Sequence, residues 1–154
     1  MSRDSIFKVS AKSENSTKTT VKARNFSIVI DEPPILGGKD EGANPVEYVL
    51  AALAGCLNVV GHVVAKEMDI QIKNLEFELS GSLNPEKFMG RETPDRAGYK
   101  NIEVKVYIDS DADELTLSKW LKAIEQRCPV SDNIANSTPI EFSLNFKSET
   151  EIAG

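Results

Sequence analysis

Two thiols are the residues of this chain with the most chemistry to offer. Cys56 closes the segment Gly42-Ala-Asn-Pro-Val-Glu-Tyr-Val-Leu-Ala-Ala-Leu-Ala-Gly-Cys56, and Cys128 directly precedes Pro129. A thiolate is a nucleophile and a buried thiol is inert filler, so the surroundings of each sulfur decide its role. At about 100 degrees per residue, Val49, Ala52, Leu53, Val59, Val60 and Val63 fall within about 60 degrees of Cys56 around a helix. Cys56 therefore belongs to an apolar stripe, and burial alone raises a thiol pKa. Two readings stay open: a small core residue, or a nucleophile whose charge is held by a cation brought from elsewhere. Arg24 leads the candidate cations, with Arg91, Arg96 and Arg127 behind it. Glu47 is a candidate to orient that guanidinium. It projects about 180 degrees from Cys56, so it acts only through a partner segment or a second subunit. Its structural alternative is a first-turn carboxylate that favours the helix dipole. Cys128 extends the apolar face of a second helix, which makes it core, or it serves as a resolving thiol at the start of a further helical turn. A bridge between the two needs Cα atoms within about 7 Å.

Other chemistries find no residues. The two cysteines form no CxxC pair, and His62 is the single histidine, projecting away from Cys56. No cluster with metal-ligand spacing exists, so no metal site is expected. Gly37-Gly38 is a turn and not a phosphate-binding loop. Acidic residues outnumber basic ones by 24 to 18, a net charge of -6. That balance argues against a nucleic-acid partner. No uninterrupted apolar run reaches the roughly 18 residues of a membrane span, and no secretory signal is visible, so the expected compartment is the cytoplasm and no membrane partner is expected.

The elements that must position the thiols are legible from periodicity. The chain has 154 residues, 40% hydrophobic and 27% charged, which fits one domain over 1–154 with a real core. Val21 and Ala23 alternate with polar neighbours, and Phe26, Ile28 and Ile30 resume in shifted phase, so Arg24-Asn25 marks a turn or bulge. Asn44 and Pro45 open a helix expected from about Pro45 to about Lys66. Ala51, Ala52, Ala54 and Gly55 would admit another backbone closely. Leu75, Phe77 and Leu79, then Ile102, Val104, Val106 and Ile108, read as two half-buried strands. Between them lies a long polar loop from Asn84 to Gly98, where Phe88 and Met89 are expected to pack on their own domain beside Tyr99. A second helix covers about Glu114 to Arg127, with Trp120 next to its apolar face, and Pro129 stops it. A short turn follows at Ser131 to Asn136, and Ile140, Phe142, Leu144 and Phe146 alternate as a final strand. The order is α+β, with antiparallel or mixed sheet packed on helices.

Two stretches resemble the OsmC/Ohr family of hydroperoxide reductases. One runs from Asp31-Glu-Pro-Pro-Ile-Leu-Gly-Gly38 through Gly42 to Cys56. The other is Arg127-Cys-Pro-Val-Ser-Asp-Asn-Ile-Ala-Asn-Ser-Thr-Pro139. The resemblance implies an OsmC-like fold built as an intertwined homodimer, long helices central, with active sites at the subunit interface. It implies that Cys56 attacks an organic hydroperoxide, that Cys128 resolves the sulfenic acid as a disulfide, and that an external dithiol restores the enzyme. No metal, flavin or haem is implied. Best-studied members carry a catalytic glutamate directly after the Asn-Pro pair. Here Val46 holds that position and Glu47 follows it. The alternatives on the same fold are a non-enzymatic protein binding a small apolar ligand, and a redox sensor.

Overall fold

The computed structural model describes residues 3–147; the single domain expected over 1–154 includes residues 1–2 and 148–154, which lie outside the described residues. The chain begins with an antiparallel three-stranded sheet of β1 (Ser10–Ser13), β2 (Thr19–Ala23) and β3 (Phe26–Ile30), in that spatial order. β1 has the polar sequence Ser-Ala-Lys-Ser, which carries no alternation to announce it. Ala23 pairs with Phe26, so Arg24-Asn25 is the two-residue tip of a hairpin. Arg24 takes a left-handed φ of 54° there, which accounts for the phase shift read in the sequence.

The long helix α1 spans Pro45–Glu67. Its start is a full capping box. The Asn44 carboxamide accepts the Glu47 N–H at 2.9 Å, and the Glu47 carboxylate accepts the Asn44 N–H at 2.8 Å. Two tyrosines tie this first turn to its neighbours. Tyr48 donates to the Val29 carbonyl of β3 at 2.7 Å, and Tyr99 donates to the Val46 carbonyl at 2.8 Å. Tyr99 lies flat on Gly81, where a Cβ would stand 2.7 Å from its ring.

β4 (Ile72–Ser82) and β5 (Asn101–Ser110) form an antiparallel pair, with an irregularity between Ile72 and Asn74. Two helices follow: α2 (Glu114–Arg127), capped by Asp113, and α3 (Pro129–Ala135). The core lies where α1, α2 and the inner face of β4–β5 meet. Leu53, Leu57, Val64, Ala65, Ile70, Trp120, Ile124 and Cys128 are buried there. Trp120 is the largest of them. Its indole N–H donates to the Gly61 carbonyl at 2.8 Å, and a Cβ at Gly61 would stand 3.2 Å from the ring. Gly61 is therefore the notch that lets Trp120 seat against α1. Arg127 closes the far end with a two-pronged contact to Glu67 at 2.5 and 3.0 Å.

Two expectations are corrected. Residues 140–146 form no strand among the described residues; Ile140, Phe142, Leu144 and Phe146 are 74 to 93% exposed. A strand needs a neighbouring edge to accept its backbone bonds, and among the described residues no segment pairs with this one. Phe88 and Met89 also fail to pack on their domain and stay exposed. The loop that carries them is held from within by Asn84, which donates to Asp95 at 2.8 Å, and by the Lys100–Asp95 ion pair at 2.6 Å. By length and average composition alone α1 could cross a membrane, yet Glu47, Asn58, His62 and Lys66 interrupt it, so no uninterrupted apolar run of about 18 residues stands within it.

Candidate functional site

α1 and α3 bring the two thiols together. Cys56 projects from the middle of α1 beside the core and is partly buried; Cys128 is fully buried at the junction of α2 and α3. Their side chains lie close enough for Cys128 to act on the Cys56 thiol, and Cys56 packs against the buried cluster that contains Cys128. Pro129 ends α2 because it supplies no N–H and disfavours helix at the residue before it. Cys128 accordingly takes an extended conformation with φ -76° and ψ 111°, and it caps α3. The Ser131 N–H donates to Cys128 Sγ at 3.4 Å. The Val130 N–H faces Cys56 and favours its thiolate. Consecutive amides at the start of α3 thus serve the two sulfurs in turn.

The electrostatics of the pair follow from these contacts. Burial pushes the Cys56 thiol up from its ordinary value; the Val130 N–H opposes that rise, and the adjacent Cys128 adds to it. No guanidinium is among the groups acting on Cys56. The four candidate arginines are occupied or placed elsewhere. Arg24 stands at the hairpin tip, its guanidinium 5.0 Å from the centre of the Phe26 ring. Arg91 pairs with Glu86, and Arg127 with Glu67. Arg96 lines a recess with Leu53, Tyr99 and Ser131. Glu47 is exposed, engaged in the α1 cap and close enough to Tyr99 for its charge, together with burial, to raise the phenol. So the structure brings Cys56 and Cys128 together and leaves Arg24 and Glu47 at other places in the chain. His62 is exposed on α1. Among the described residues no group of three metal-ligating side chains converges.

The two amides of Val130 and Ser131 were absent from the sequence reading. The signal available for them was Cys128-Pro129 itself: a thiol at the residue before a helix-opening proline is in capping position.

Residues 38–143 match the family model described as OsmC-like protein. The chain belongs to the OsmC-like protein family. Among curated proteins it is 26% identical over 133 residues to the uncharacterized protein YmaD of Bacillus subtilis (strain 168), covering 83% of this chain and 84% of that protein. The fold matches an OsmC-like protein from Mycoplasma pneumoniae with a TM-score of 0.75 at 21% identity, over 86% of this chain and 89% of the other. It also matches the organic hydroperoxide resistance protein OhrB of Bacillus subtilis with a TM-score of 0.55 at 24% identity, over 82 and 88% of the two chains. The OsmC-like α+β arrangement of antiparallel sheets and helices is thereby established for this chain.

Proposed function

We propose that this OsmC-like protein is a thiol peroxidase that reduces organic hydroperoxides in oxidative-stress defence. The observation that carries the reading is the direct contact between Cys56 and Cys128 at the junction of α1 and α3. The more exposed thiol, Cys56, is the one peroxide can reach. Its thiolate attacks the terminal peroxide oxygen, the O–O bond breaks, and the alkoxide takes a proton and leaves as the alcohol. Cys56 is left as a sulfenic acid. Cys128 then attacks the Cys56 sulfur, a disulfide forms and water departs. An external dithiol reduces that disulfide by exchange. Kinship supports the substrate class: the OhrB neighbour is named for organic hydroperoxide resistance.

The proposal includes a homodimer. α1 keeps an apolar face uncovered, with Val49, Ala52, Gly55, Val59 and Val63 exposed. Among the described residues, nothing beyond its own helix turn lies within 4 Å of a Cβ built on Gly55, so its smallness is free for a helix from a second copy. The cation absent from Cys56 in one chain is proposed to arrive with that copy. Arg24 is its source, because it stands on a hairpin tip and forms no ion pair among the described residues. Glu47 is proposed to orient it.

The raised Cys56 thiol favours a second reading, a redox sensor oxidised once without turnover, or a protein that binds an apolar ligand and leaves both thiols inert. One experiment separates them. Purified protein is given cumene hydroperoxide with and without a dithiol, and thiols are counted. The peroxidase reading expects both thiols lost, a Cys56–Cys128 disulfide, and many turnovers per chain with dithiol; Cys56→Ser abolishes all three. One turnover per chain points to the sensor, and unchanged thiols end both redox readings. The Cys56 shift also fixes a pH trend. With the pKa raised, the thiolate fraction at neutral pH is small, so alkylation of Cys56 accelerates through the alkaline range. Arg24→Ala leaves that profile in place if no cation is supplied, and moves it further alkaline if Arg24 of a second copy supplies one.

A further inference from the structure

Helix α3 is held at its start by sulfur. It is seven residues long, buries no side chain fully, and has the Cys128 side chain as its N-cap. We propose that α3 is a redox-sensitive wall of the site: the Cys56–Cys128 disulfide removes this cap and loosens the helix, and reduction restores it. The inference rests on the peroxidase reading and deepens it by naming the element whose order follows the state of the thiols.

Three observations carry it. First, the pair satisfies the exposed end of the helix. Pro129 has no N–H, the Val130 N–H faces Cys56, and the Ser131 N–H donates to Cys128 Sγ at 3.4 Å. The first amides of a helix have no partner within it, so they depend on such groups. Second, closing the bridge moves the cap. Both cysteines are free in this structure, and free sulfurs keep van der Waals spacing. A disulfide draws them to about 2 Å, a closure of roughly 1.5 Å. Cys56 stands in the middle of the 23-residue α1 and cannot follow. The Cys128 backbone is bound on both sides, its N–H to the Ile124 carbonyl and its carbonyl to the Asp132 N–H, each at 3.0 Å. The Cys128 sulfur therefore turns about its Cα–Cβ bond, and its long contact with the Ser131 N–H is lost. Third, little else holds α3. Val130 is half-buried against the core, while residues 132–135 are exposed. The Asn133 bond to the Pro129 carbonyl and the Asn136 bond to the Asp132 carbonyl lie within the helix and its end. They open with it, and so short a helix is marginal on its own.

The consequence falls on the recess beside the thiols. Ser131, Ile134 and Ala135 line about 310 Å³ together with Leu53, Tyr99 and Ile102. Hydroperoxide meets the reduced protein, in which this wall is firm. The disulfide forms as the Cys56 sulfenic acid and the Cys128 thiol release water, and the wall loosens. The external dithiol meets that form, returns both thiols and leaves as its own disulfide. One site thus receives two molecules of different shape in turn.

The test is hydrogen–deuterium exchange, read by mass spectrometry on the full-length protein. The disulfide is made with diamide, so the outcome does not depend on peroxidase activity. The expected result is exchange in peptide 129–136 at least about fivefold faster in the disulfide form, the effect of losing one cap. Peptides from 57–65 and 117–124 are expected to stay unchanged, and dithiothreitol to restore the slow rate. Cys128→Ala, which has neither cap nor bridge, is expected to exchange fast with or without diamide. Cys128→Ser, with a hydroxyl at the cap, is expected to exchange slowly in both. Equal or slower exchange in the disulfide form, faster exchange spread over all peptides, or slow exchange in Cys128→Ala overturns the proposal and leaves the peroxidase reading standing. A protein in which diamide closes no Cys56–Cys128 bridge overturns both.

Discussion

The two long sides of α1 carry similar apolar residues and meet opposite fates. Leu53, Leu57, Gly61, Val64 and Ala65 are buried by α2 and the inner face of β4 and β5. Val49, Ala52, Gly55, Val59 and Val63 cover the other side and remain open. The glycines make the contrast sharp. Gly61 sits tight against Trp120, whose ring would stand 3.2 Å from an added Cβ; at Gly55 that space is empty. A pattern of hydrophobicity therefore specifies a buried face without specifying whose atoms bury it. One side of α1 is covered by other elements of the chain, and the other, like residues 140–146, stays exposed.

Substitutions at the closed side should cost most. Trp120→Ala removes the most deeply seated aromatic side chain, its contact with Ile124 and its bond to Gly61; we expect a loss of about 3–5 kcal/mol in denaturant unfolding. An unchanged midpoint would show that this side is not the core. The glycine pair gives the next effect. Gly61→Ala forces the Trp120 ring to shift and is expected to cost about 1–3 kcal/mol. Gly55→Ala, measured under dilute conditions where association is absent, is expected to gain up to about 1 kcal/mol from helix propensity. Equal losses at both would erase the distinction between the faces.

A further effect concerns the loop that leads into α1. Asp31 is buried and accepts the N–H groups of Glu41, Glu32 and Lys39, which hold its carboxyl down to about 2. A depressed carboxylate stabilises the fold fully above its unfolded pKa, near 3.9, and loses that contribution as pH falls through the folded value. Asp31→Asn should therefore lower the melting temperature at neutral pH. The gap to the natural protein should close between about pH 4 and about pH 2. A gap constant with pH would mean that the loop is held by shape and not by charge.

Much of this organisation is legible in the sequence, and the reasons differ by element. α1 and α2 announce themselves through capping residues and a 3.6-residue period, and β4 and β5 through strict alternation. Both thiols could be placed on apolar faces, but their contact could not be derived, since it depends on how α3 leaves α2. Residues 140–146 show the opposite case. Their alternation is plain, yet a strand is a relation between two segments, and among the described residues none pairs with them. Arg24 was legible as a phase slip, and as the hairpin tip it proved to be. Its distance from the thiols was not, because the path of a hairpin through space is set by distant contacts such as Tyr48 with Val29. β1 was invisible, since Ser-Ala-Lys-Ser pairs through backbone alone.

The sharing of the α3 amides between two sulfurs has a spectroscopic consequence. Val130 N–H points at one sulfur and Ser131 N–H at the other. Each proton loses or gains electron density at its acceptor whenever that sulfur ionises, takes up oxygen or joins its neighbour. Neighbouring cross-peaks in a nitrogen–proton correlation spectrum therefore form a two-channel meter, able to tell which thiol has changed and in what order, in a protein carrying no label but its own nitrogen isotope.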